Sequence, residues 1–283
     1  MCVAPRIIKN ISTGERVLGV TSVDDELFVL LKRDVDQVAV YSINDYQLLR
    51  HLSVPGLKPS NDNDNDMTSC VRHKCLYMSD FDNSCIHRYD LRSRAIIKWR
   101  VPGSPGGLSV TPSCNLLVTC RGETDKLVEL SADSGQCVRE ITLQSDIENV
   151  VYAWHSVQLT TGQYVVSHGF DDSFFYHLSV VGDDGKVTLT GSYQLGSSGE
   201  RNNCQCHLAV DKDSQFIFVA DFDMGRVELL SPTLEFVRYV IKNIYCVKSF
   251  RRLLILPCRL HLHQPTRRLF VGQFDGDVVV IEL

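Results

Sequence analysis

His207-Leu-Ala-Val-Asp211, Phe216-Ile-Phe-Val-Ala-Asp221 and Arg226-Val-Glu-Leu-Leu-Ser231 follow one another with only short polar spacers between them. Each run is too short for a helix and rich in the branched and aromatic residues that favour strands. The spacer Phe222-Asp-Met-Gly225 carries the Asp and Gly that a tight hairpin turn requires. The stretch therefore predicts three antiparallel strands in sequence, with no helical period.

The middle run has counterparts along the whole chain. Leu27-Phe-Val29, Leu76-Tyr-Met78, Leu116-Leu-Val118, Tyr164-Val-Val166, Ile217-Phe-Val219 and Leu269-Phe-Val271 end 49, 40, 48, 53 and 52 residues apart. A short strand precedes each by roughly a dozen residues, and a hairpin and a fourth strand such as Ala95-Ile-Ile-Lys-Trp99 follow. Four strands per repeat and short turns predict propeller blades. The sixth repeat stops at Leu283 after its third strand, while Arg6-Ile-Ile-Lys9 stands alone ahead of the first repeat. The expectation is an all-β, six-bladed propeller filling residues 1–283, with strand 5–11 completing the last blade. The blades are read as about 15–57, 64–104, 106–151, 153–199, 204–243 and 257–283. Two β-sandwiches would also suit the strand spacing, but not the repeat or the complementary ends.

The 283 residues are 44 % apolar and 22 % charged, values of a folded globular chain. The net charge of −5 argues against a globally basic nucleic-acid binder. The 11 cysteines are odd in number, and the N-terminus lacks the apolar core of a signal peptide, so reduced thiols and a cytoplasmic location are expected. No apolar run is long enough to span a membrane as a helix.

The opening stretch resembles an NHL repeat. Related runs are Leu76-Tyr-Met-Ser-Asp80 with Ile86-His-Arg-Tyr-Asp90, Gly107-Leu-Ser-Val110 with Asn115-Leu-Leu-Val-Thr-Cys120, and Trp154-His-Ser-Val-Gln-Leu159 with Tyr164-Val-Val-Ser-His-Gly169. Together they are similar, over nearly the whole chain, to the C-terminal NHL propeller of tripartite-motif proteins. That resemblance implies a monomeric recognition platform for proteins or RNA, without a cofactor. Ligase chemistry in that family belongs to an N-terminal RING, and no Cys-x2-Cys pair occurs here to build one. Trp-Asp dipeptides and a kelch-type Gly-Gly pattern are missing.

Reading the start of each inner strand gives Val17, Asp66, Gly107, His155, His207 and Arg259 as a ring at one mouth of the channel. Such a ring is where six loops converge and a ligand can bind, with Asp66, His155, His207 and Arg259 as the polar candidates. The bland alternative is a set of strand caps. Asp66, His155 and His207 also have the ligand types of a metal site, which would suit a channel-metal lyase or hydrolase. With only two histidines in the ring, no metal is assigned.

Asn61-Asp-Asn-Asp-Asn-Asp66 echoes half a calcium loop, but Met67 and His73 replace its Gly and Glu, so a solvated inter-blade loop is expected. Cys70, His73, Cys75, Cys85 and His87 fall on alternating strands and read as packing residues, as does Cys204-x-Cys206. Residues 241–268 hold Lys242, Lys248, Arg251, Arg252, Arg259, Arg267 and Arg268 and no acid, so this stretch carries +7 and the rest of the chain −12. With Tyr245 and Phe250 it is the candidate for contacting RNA. Within it, Ile244 to Leu256 departs from the repeat, either as a family-specific loop or as a gene-model artefact. No nucleophile elbow, P-loop or dinucleotide fingerprint is present. The sequence therefore predicts a non-catalytic platform for a protein or short peptide, with RNA as the runner-up and no role for DNA or membrane.

Overall fold

The computed structural model describes residues 4–35, 37–58, 64–144, 151–169, 176–191, 206–242 and 256–283. They form six four-stranded antiparallel sheets arranged as a ring, as the repeat predicts. From the axis outward, blade one is Val17–Val23, Glu26–Leu31, Val38–Ser42 and Leu48–Leu52. Blade two is Met67–Cys70, Cys75–Asp80, Cys85–Asp90 and Ile96–Arg100, and blade three is Ser104–Val110, Leu116–Arg121, Lys126–Leu130 and Cys137–Thr142. Blade four is Val151–Gln158, Tyr164–Gly169, Tyr176–Val181 and Val187–Thr190. Blade five is Leu208–Val210, Ile217–Asp221, Arg226–Leu230 and Phe236–Lys242. Blade six takes Pro257–His263, Arg268–Gln273 and Asp277–Glu282 from the C-terminus and Arg6–Ser12 from the N-terminus. The inner strands of blades three and four begin at Ser104 and Val151, ahead of the 106 and 153 read from the sequence, because a bulge lengthens each.

The sequence pattern explains the packing. Along Leu27-Phe-Val-Leu-Leu31, side chains alternate between the two faces of the sheet. Leu27, Val29 and Leu31 enter a core shared with Phe270, Val278 and Val280 of blade six. Phe28 and Leu30 enter another with Met67, Leu76 and Met78 of blade two. Every blade interface has such a core, and the six close a circle. A sheet buried on both faces reads as a continuous apolar run, which is why the second strand of each blade stands out in the sequence. The outermost strands face solvent and carry charge: Arg6 pairs with Glu282 at 2.7 Å and Arg50 with Glu26 at 2.5 Å.

Each inner strand begins at one end of the ring, called here the hub end, and finishes at the other, the basin end. The first strand closes the ring: Arg6–Ser12 runs antiparallel to Asp277–Glu282, with Ile11 buried beside Val278 and Val280. Ile11→Ala should lower stability by about 2 kcal/mol or more, the usual cost of emptying a buried branched side chain. Removal of residues 4–12 should go further and promote self-association, because it leaves Asp277–Glu282 as an unpaired edge. Urea unfolding checks both, and an unchanged midpoint on deletion would show that the strand does not hold the ring.

Candidate functional site

Pairing register defines which inner-strand residues share one level of the channel. Val20, Met67, Leu108, Ser156, Leu208 and Leu260 lie opposite equivalent residues of their second strands. The residues immediately before them are Gly19, Asp66, Gly107, His155, His207 and Arg259. Five match the ring read from the sequence. In blade one a bulge between Val17 and Gly19 shifts the count, so Gly19 takes the place and Val17 packs in the core with blade six. The two glycines are required by close approach. A Cβ on Gly19 would lie 2.5 Å from the Met67 Cβ, and one on Gly107 would lie 2.6 Å from His155 Cδ2.

These residues converge, but inside the channel rather than on an open rim: Asp66, His155, His207 and Arg259 are all buried. The Asp66 carboxylate is their centre. Oδ1 accepts from the Met67 N–H at 2.8 Å, and Oδ2 from the Leu108 N–H at 2.8 Å. Arg259 Nε lies 3.4 Å from Oδ1, while His207 Nε2 and His155 Nε2 lie 3.4 and 3.7 Å from Oδ2. The Arg259 guanidinium also donates to the carbonyls of Leu18, Cys258 and Asn65 at 2.5, 2.7 and 2.9 Å. The two imidazoles are 3.8 Å apart between centroids. Through Leu18, Asp66, Leu108, His155, His207 and Arg259, this hub ties all six blades together.

The hydrogen bonds determine the tautomers. His207 Nδ1 accepts the Leu260 N–H at 3.3 Å, so its proton sits on Nε2, facing Asp66. His155 Nε2 lies 3.1 Å from the Leu108 carbonyl, which can only accept, so it too carries a proton on Nε2. The ligand atoms of Asp66, His155 and His207 fall within 4.8 Å of one another, yet in this arrangement His207 turns its Nε2 proton to the carboxylate and His155 donates its own to the Leu108 carbonyl, so neither Nε2 offers a metal a lone pair. Burial by itself would raise the Asp66 carboxyl, but His207, Arg259 and His155 outweigh it and hold it well below the usual carboxylate range. Burial, reinforced by His207, pushes His155 down to about 3, so it is neutral at pH 7.

The hub divides the channel. On its outer side is a cavity of about 10 Å³, room for a water, between Asp64, Gly107, Trp154 and Cys206. On the other side a basin of about 800 Å³ opens to solvent between the inner strands. His155 and His207 form part of its floor, Val20, Val110, Val157 and Leu262 its walls, and Asp24, Asp25, Arg72 and Lys212 its rim. None of the rim residues stands in the sequence-predicted site. Their signal was position: each lies just beyond an inner strand, where the chain turns outward.

The other sequence candidates are dispersed. The basic stretch does not form one patch among the described residues. Lys242 ends the outer strand of blade five at the hub end, level with Arg226, over the Tyr239 ring. Arg267 and Arg268 sit at the basin end of blade six, where Arg267 pairs with Asp211 at 2.8 Å and Arg268 donates to the Ile43 carbonyl. Lys248, Arg251 and Arg252, with Tyr245 and Phe250, lie outside the described residues, as does nearly all of 244–256. The solvated loop expected at 61–66 is corrected over its described part. Asp64, Asn65 and Asp66 are buried, Asp64 against Arg121 at 2.9 Å, because this segment feeds directly into the hub. Cys70, His73 and Cys75 occupy the basin end of blade two, and Cys85 and His87 lie toward its hub end. Cys204 lies outside the described residues.

Buried neutral histidines make the fold acid-sensitive. Burial is the first cause of the low values of His155, His168 and His261, about 3, 4 and 3 against 6.5 for a free imidazole. Their contribution is complete above pH 6.5 and is lost as pH falls toward 4, because the unfolded chain then binds protons the folded one refuses. Each should cost about 1.4 kcal/mol per pH unit in that window. Urea unfolding at stepped pH measures the slope, and His261→Gln should reduce it by one proton. Asp66 acts lower, its stabilisation being lost only as pH falls below the carboxylate range.

No protein-family model matches the chain, and no curated protein does. Among solved structures, the fold is similar to a catalytically inactive virginiamycin B lyase from Staphylococcus aureus crystallised with quinupristin. The TM-score is 0.62 at 9 % identity over 99 % of each chain, a likeness of propeller architecture. Among the described residues, no helix is long and apolar enough to cross a membrane.

Proposed function

We propose that this chain is a non-catalytic recognition propeller of the cytoplasm, which takes a short peptide segment of a protein partner into the basin end of its channel. The observation that carries this reading is the basin itself. Its volume, about 800 Å³, lies in the range of ligand sites, and it has apolar walls under a polar rim. The NHL-like runs point the same way, toward a propeller that binds rather than reacts.

Two features favour a peptide over the alternatives. The rim mixes Asp24 and Asp25 with Arg72 and Lys212, a set that suits the alternating charge of a polypeptide and would repel part of any polyphosphate. The histidines and carboxylate of the channel are engaged with one another in the hub, which supports a structural task for them over lyase or hydrolase chemistry. An extended segment laid across the six turns would send an apolar side chain between Val110, Val157 and Leu262.

Selection from a displayed random-peptide library tests the reading. Selected peptides should bind the intact chain, and Arg72→Glu or Lys212→Glu should weaken them at least tenfold, about 1.4 kcal/mol. Lys242→Glu, at the other end of the ring, should leave them unchanged. Loss on Lys242→Glu alone, or binding confined to single-stranded RNA with a steep salt dependence, would overturn it.

A further inference from the structure

Blades two and five use the same backbone positions for different chemistry. In blade five, Asp221 ends the second strand opposite Arg226, and Glu228 stands opposite Val219. The Arg226 guanidinium lies between the two acids, 3.0 Å from Asp221 Oδ2 and 2.6 Å from Glu228 Oε1. A cation is thus held between the second and third strands. In blade two the register is identical: Asp80 lies opposite Cys85, and His87 opposite Met78. The guanidinium is gone, and a carboxylate, a thiol and an imidazole face the same pocket.

We propose that Asp80, Cys85 and His87 form a binding site for a divalent transition metal of the zinc class, in the place that a guanidinium occupies in blade five. All three side chains are buried, and one ligand atom of each lies within 4.8 Å of the others. His87 Nε2 is 3.2 Å from Asp80 Oδ2, close to the ~3.3 Å that separates two ligands on a tetrahedral zinc with bonds near 2.05 Å. An oxygen, nitrogen and sulfur set is the borderline-soft mixture that suits zinc over magnesium or calcium. His87 Nδ1 is buried without a hydrogen-bond partner, so, unlike Nδ1 of His207, it can take the ring proton when Nε2 turns its lone pair to the metal. Asn83 Nδ2 donates to Asp80 Oδ1 at 2.8 Å and fixes the carboxylate from behind, as outer-shell groups do at metal sites.

The charges balance on binding. The metal replaces the Cys85 thiol proton, which leaves to water, and thiolate and carboxylate together neutralise the dication. Cys85 is the least buried of the three and adjoins the exposed turn at Asp82 and Asn83, which supplies an entry route. The site lies between strands within one blade, away from the basin, and does not depend on the peptide reading.

Cobalt(II) and zinc titrations of the full-length chain, purified with chelator and then freed of it, test the proposal. Cobalt should develop the near-ultraviolet charge-transfer band of a thiolate ligand, saturating at a single equivalent and abolished by zinc. Zinc should protect Cys85 from alkylation, read by mass spectrometry. Cys85→Ala should remove the band and Cys206→Ala should retain it. Asn83→Ala should weaken binding by about 10- to 100-fold. Absence of the band from the unaltered chain would overturn the site without reliance on any variant. A band that survives Cys85→Ala would overturn it as well.

Discussion

The second strand of each blade is buried on both faces, and that single constraint dictates the rest. A two-faced sheet cannot end at solvent without exposing a core, so each blade needs a neighbour on either side. A ring is the arrangement in which every blade has two. The six cores, from Leu27 against Phe270 round to Leu269 against Phe218, are six versions of one contact. The strand from Arg6 to Ser12 belongs to the same logic, since it pairs the last open edge and joins the two ends of the chain in one sheet.

Closing the ring crowds its axis. Six strands meeting at one level leave space for few side chains, and Gly19 and Gly107 mark where neighbouring backbones leave none. The side chains that do fit are charged or polar, and an unpaired charge there would be costly. Asp66 is tolerable because two backbone N–H groups, Arg259 and His207 converge on it. The resulting hub acts as both fastener and partition. It engages the ionisable groups of the throat with one another, and a basin opens to solvent beyond it.

Repetition also lets equal positions diverge. The pocket between the second and third strands is filled by an ion triad in blade five and by carboxylate, thiol and imidazole in blade two, on the same register. The scaffold pays no attention to which, because the opposite face of each blade is packed by the alternate residues, such as Tyr77 and Ile86 in blade two and Val227 and Leu229 in blade five.

Much of this was written in the linear pattern. The six second strands were legible because burial on both faces leaves unbroken apolar runs, and the spare strand at Arg6 was legible because the sixth repeat ends one strand short. Asp66, His155, His207 and Arg259 could be placed at one level by counting from those runs. Counting failed where backbone geometry is not periodic. The bulge before Gly19 displaced Val17, and the Asp-Asn segment before Met67 was polar by composition yet buried by its route into the hub. The basic stretch around Arg267 is contiguous along the chain, but successive strands run to opposite ends of the ring, so Lys242 and Arg268 are separated. The sequence by itself determined the blade count, the closure and five of the six residues of the ring, because these follow from hydrophobic period and repeat length. Only the tertiary structure decided that the ring converges as a buried hub, that a basin opens beyond it, and that Asp80 meets Cys85 and His87. Those depend on distances across and between strands, which side-chain order along a chain does not encode.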